Sequence, residues 1–130
     1  MSQPRAIDRL LFVFDADSGA WSAAADSARK LLRLNGCALC AVTHGLLSER
    51  DEMRSCREEL GVPVDYLHRD ELPSGLRDLV AGRLPTVVAV VGDEPVVLLE
   101  PEVIARCRGS VADLRGKLVF HAARRGLALS

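Results

Sequence analysis

Leu84-Pro85-Thr86-Val87-Val88-Ala89-Val90-Val91-Gly92-Asp93-Glu94-Pro95-Val96-Val97-Leu98-Leu99 contains the strongest strand signal in the chain. Its first half is an almost unbroken apolar, β-branched run, which suits a strand covered on both faces. Gly92-Asp93-Glu94 is a turn and Val96–Leu99 returns, so the segment predicts an antiparallel hairpin. Beyond it, Pro101 opens a brief helix to about Cys107. Ser110 then caps a last helix that places Val111, Leu114, Leu118 and His121 on one face.

Upstream of the hairpin, short apolar runs alternate with helical patterns. Arg9–Asp15 contains Leu-Leu-Phe-Val-Phe, a strand buried on both faces, and ends in the turn-and-cap cluster Asp15-Ala16-Asp17-Ser18-Gly19. Trp21, Ala24, Ala25, Ala28, Leu31 and Leu32 follow at helical spacing, with Gly36 as the stop. Cys37–Thr43 reads as a second buried strand. Ser48-Glu49-Arg50-Asp51 reads as a capping box for a helix to Leu60, with Met53, Cys56 and Leu60 as its stripe and Gly61 as its end. Val62–His68 is a third strand, with Val62, Val64, Tyr66 and His68 on one face. A short helix after Pro73-Ser74 turns Leu76, Leu79 and Val80 inward.

The element order β-α-β-α-β-α-β-β-α predicts one α/β domain over residues 1–130. It should hold a mixed sheet of about five strands with helices on both faces. The early strands should be parallel neighbours joined by right-handed crossovers, and the hairpin should form an antiparallel edge.

Composition agrees with a packed domain. The chain has 130 residues, 48% of them hydrophobic, and 17 Lys+Arg against 18 Asp+Glu, a net charge of −1. That much apolar surface excludes wholesale disorder. The near-zero charge argues against a generic nucleic-acid binder. There is no run of about 18 apolar residues, so no membrane span is expected. Leu10–Phe14 is too short for a signal sequence, which makes the cytoplasm the expected compartment. The four cysteines, Cys37, Cys40, Cys56 and Cys107, are then expected as free thiols.

With Leu84-Pro85-Thr86 heading a five-residue apolar strand, a Gly turn, a second strand and a C-terminal helix, the chain resembles the thioredoxin-like fold. The hairpin looks like that superfamily's cis-proline hairpin. The resemblance implies a redox Cys-x-x-Cys after the first central strand, and the matching place here is Ser18-Gly19-Ala20-Trp21. Neither cysteine is present, so the resemblance implies the fold without its usual dithiol exchange. A Ser in the first position can donate a hydrogen bond to a bound thiol but cannot form a mixed disulfide. The segments Asp15–Gly19, Cys37–Gly45 and Leu67–Glu71 also resemble a group of small bacterial proteins, and that resemblance carries no activity with it.

The residues that can carry chemistry gather at strand ends. Ligands of open α/β sheets bind beyond the carboxyl ends of the strands. That rule nominates a rim of Asp15, Asp17, Ser18, His44, His68, Arg69 and Pro85 for a small molecule or protein partner. Pro85, if cis, would set the backbone beside Ser18. For Asp15, Asp17 and Ser18 the plainer reading is helix capping; for His44 it is a loop residue, and for His68-Arg69-Asp70-Glu71 a solvated charged turn. His44 is the best candidate for proton transfer, and Asp15, His44 and Ser18 could form a triad, although no nucleophile-elbow signature accompanies them.

Cys37-Ala38-Leu39-Cys40 allows a thiol-dependent oxidoreductase, or, with His44 and His68, a metal site. In a regular strand these two cysteines would face opposite sides roughly 10 Å apart, which favours two inert, buried thiols and no bound metal or cofactor. Trp21 and His121 read as packing residues. Arg106, Arg108, Arg115, Lys117, Arg124 and Arg125 make the C-terminus basic, and Arg124-Arg125 could touch an acidic partner.

Overall fold

Strand β2, Arg9–Phe14, is the centre of the sheet, with β1 the two-residue strand Arg5–Ala6 before it. A computed structural model of the protein describes residues 4–15, 39 and 50–129. The further elements are helix α1 (Asp51–Leu60), strand β3 (Val64–His68), a 3-10 turn (Arg69–Glu71) and helix α2 (Ser74–Val80). Strands β4 (Thr86–Val91) and β5 (Glu94–Leu99), helices α3 (Pro101–Ala105) and α4 (Val111–Arg124), and strand β6 (Leu127–Ala128) complete them.

The main sheet is mixed, in the order β3-β2-β4-β5. β2 runs parallel to β3, from Leu10↔Val64 to Phe14↔His68, and antiparallel to β4, from Arg9↔Val90 to Val13↔Thr86. The hairpin forms as expected, but Val91 pairs with Glu94, so its loop is Gly92-Asp93 and the return strand begins two residues earlier. Gly92 sits at φ 64, in the region open to glycine, and its N–H donates to Asp8 Oδ2 at 2.6 Å.

Alternation along the strands builds two cores. Leu10, Phe12 and Phe14 join Val87, Ala89 and Val91 on one face, under Met53, Cys56 and Leu60 of α1 and Leu114 and Leu118 of α4. Val13 and Val88 point the other way, under Leu72, Leu76 and Val80. Helices therefore cover both faces. A register shift between Val87↔Leu99 and Val88↔Val97 leaves Leu98 as the extra residue of a bulge. Leu98 and Leu99 consequently enter the same core. Thr86 is fully buried, and its hydroxyl is satisfied by donating to the Leu99 carbonyl at 2.7 Å.

Two expectations need correction. Leu39 is helical and fully buried, so the strand assigned to Cys37–Thr43 does not pass through it. A short apolar run does not distinguish strand from buried helix, and alanine and leucine favour the helix. The main sheet has four strands among the described residues, against an expected total of about five. Helix α1 begins at Asp51 with Arg50 as its N-cap and no side-chain cap, so the capping box starting at Ser48 is not the helix start. Asp51 and Glu52 in the first turn complement the helix dipole instead, and Gly61 closes the helix at φ 73.

The β1–β6 pair was invisible to hydrophobic patterning, since two-residue strands have no period. It ties the first described residues to the last: Arg5 N–H donates to the Gly126 carbonyl at 2.9 Å, and Ile7 N–H to that of Ala128 at 2.9 Å.

Candidate functional site

The carboxyl ends of β2 and β3 lie side by side because those strands are parallel and Phe14 pairs with His68. The antiparallel neighbour β4 begins at the same end. Its last rung with β2 is Val13↔Thr86, so Pro85 falls opposite Phe14, and the Leu84–Pro85 bond is cis. Of the rim read from the sequence, Asp15, His68, Arg69 and Pro85 are thus brought to one end of the sheet. Asp17, Ser18, Trp21, Cys37, Cys40 and His44 lie outside the described residues, and with them the triad, the redox pair and most of the metal set. His44 was carried to the rim by the Cys37–Thr43 strand, and that premise falls with the helical Leu39, as does the strand argument separating Cys37 from Cys40.

An ion pair crosses the rim. Arg69 Nη1 donates to Asp15 Oδ1 at 3.3 Å, linking the residue after β2 to the residue after β3. Their side chains are 48% and 36% exposed. At that exposure the pair contributes only about 0–1 kcal/mol, so it positions these groups more than it stabilises the fold.

His68 is held on three sides. Its ring meets Phe14 edge-on at 5.5 Å, and Phe14 itself stacks on Tyr66 at 5.6 Å. Nδ1 lies 2.7 Å from Glu71 Oε1, which also accepts the His68 backbone N–H at 2.8 Å. These bonds from the His68 backbone and ring hold the Glu71 carboxyl below its ordinary value. An ionised carboxylate only accepts, so Nδ1 carries the proton. In the neutral ring, Nε2 then carries the lone pair, the form that serves as a base or a ligand atom. In the sequence Glu71 reads only as part of a charged turn. The His-x-x-Glu spacing, with Glu three residues after a helix N-cap, was the signal for its role.

Arg69 offers a guanidinium and Asp15 a carboxylate, while His68 holds an oriented imidazole. Arg69 and Asp15 can bind a polar or zwitterionic group, while the ring of His68, with Nδ1 on Glu71 and Nε2 buried, shapes the wall beside them. The described thiols contribute nothing here: Cys56 and Cys107 are both buried, and burial pushes both thiols up from their ordinary value. Thiolate character is what a redox or nucleophilic cysteine needs. Among the described residues, no group of three or more His, Cys, Asp or Glu side chains is placed to hold a metal ion, and no helix is long and apolar enough to cross a membrane.

No protein-family model, no curated protein and no solved structure matches this chain at a significant level.

Proposed function

We propose that the protein is a thioredoxin-like cytoplasmic binding protein, without dithiol exchange, that takes a small molecule or a protein partner at the Asp15–His68–Arg69–Pro85 rim. The observation that carries this reading is the Asp15–Arg69 ion pair across the ends of two parallel strands, with Pro85 at the head of the antiparallel third. The thioredoxin-like part draws support from β2 being internal to the sheet and from the β4–β5 hairpin headed by Pro85. Asp17 and Ser18 belong to the proposal by chain position, three residues or fewer beyond Asp15.

Reduced glutathione is a suitable probe, being small and zwitterionic and carrying a thiol for Ser18 to meet. Titrated into isotope-labelled protein, it should shift the backbone amides of Asp15, His68, Arg69 and Thr86. Arg69→Gln should weaken binding about ten- to a hundredfold, as expected for a charge-assisted contact of about 1.5–3 kcal/mol. Oxidised glutathione should leave the mass of the native protein unchanged. Shifts confined to other segments, or none at millimolar probe, would refute the rim. A glutathionylated product would instead favour the oxidoreductase reading at Cys37 or Cys40.

A further inference from the structure

Helix α4 is apolar on two sides. Val111, Leu114, Leu118 and Ala122 are buried in the core. On the outside, Val119 and Phe120 are 53% and 56% exposed, and they are the exposed large hydrophobics of the described chain. Gly116, one turn before Phe120, opens the floor beside it: a side chain built there would meet nothing within 4 Å.

This exposed pair lies against a concentration of positive charge. The Arg124 guanidinium sits 5.7 Å from the centre of the Phe120 ring, and the His121 ring meets Phe120 edge-on at 5.3 Å. Arg125 Nη1 approaches His121 Nδ1 at 3.5 Å. His121, Arg124 and Arg125 together line an open cleft of about 500 Å³. Their basic neighbours are neutralised: Arg115 pairs with Glu59 at 2.8 Å and Lys117 with Asp113 at 4.0 Å. Arg124 and Arg125 have no carboxylate partner among the described residues. Partial burial, and then the neighbouring Arg125, Arg124 and Lys117, hold His121 below its ordinary value, as crowded like charges do.

We infer that the outer face of α4, from Val119 to Arg125, is a docking surface for an acidic segment of another protein that carries an apolar residue beside its carboxylates. Charge complementarity selects this occupant. The whole chain is at −1, so the attraction is local to this cleft. Two guanidiniums without a counter-charge among the described residues fit carboxylates as paired forks, and Phe120 with Val119 supplies the apolar contact that anchors an interface. A lipid surface fits less well, since the exposed apolar area is two side chains wide and α4 keeps its other face in the core. The surface is separate from the rim. α4 runs into β6, which is tied to Arg5–Ala6 before the start of β2, whereas the rim lies past its end at Phe14.

The test uses isotope-labelled full-length protein and a fluorescent hexapeptide alternating glutamate with leucine. The control is the same peptide with glutamine for glutamate. Amide shifts should fall within Val119–Arg125, and binding should weaken as salt rises from about 50 to about 500 mM, as screening requires. R124Q combined with R125Q, and separately F120S, should each weaken binding about tenfold or more while the circular dichroism stays unchanged. Equal binding of the glutamine peptide, shifts elsewhere or none, or binding to phosphatidylserine vesicles with none to the peptide, would each overturn the proposal.

Discussion

Phe14→Ala should destabilise the protein by about 3–5 kcal/mol, a large part of the roughly 5–15 kcal/mol that holds a domain together. Phe14 is 1% exposed in the larger core, so its removal leaves a cavity at the end of the central strand. It also removes the ring that stacks on Tyr66 and meets His68 edge-on. The substitution therefore joins stability to function. Urea unfolding followed by circular dichroism should show the lowered midpoint. The His68 ring resonances should move toward those of a solvated imidazole in the protein that remains folded. A loss below about 1 kcal/mol, the range of ordinary surface substitutions, would mean that Phe14 is not packed as described.

Leu114→Ala should cost about 2–5 kcal/mol, whereas Phe120→Ser, further along the same helix, should stay within about 0.5 kcal/mol. Leu114 is fully buried, while Phe120 is more than half exposed. The contrast runs against residue size, because the larger side chain is the dispensable one. The same unfolding measurement decides it. Comparable losses at both positions would place the outer face of α4 inside the fold and leave no surface there for a partner.

Most of the architecture was written in hydrophobic period and punctuation. The Thr86–Leu99 hairpin, the Met53/Cys56/Leu60 stripe stopped at Gly61, and the Ser110 cap, whose hydroxyl accepts the Asp113 N–H at 3.1 Å, each had a local physical signature. The Cys37–Thr43 segment had none that separates helix from strand, because its apolar run is too short to show a period, and Leu39 is helical. The β1–β6 pair lies below the length at which alternation exists. The rim was legible as far as strand direction fixes it: two parallel strands followed by polar residues must present those residues together. That reasoning located Asp15 with His68 and Arg69. The His68–Glu71 bonds, the stacking of Phe14 on Tyr66 and the hydroxyl bond of buried Thr86 depend on side-chain geometry that spacing alone does not specify.

The ends of β2 and β3 and the head of β4 meet at one place. Nuclear Overhauser contacts from the Phe14 ring test it most directly. We expect cross-peaks from that ring to the rings of both Tyr66 and His68, together with a backbone contact between Val13 and Thr86. A His68 ring in contact only with its own turn, and a Thr86 backbone remote from Val13, would take the rim apart and the proposed binding site with it.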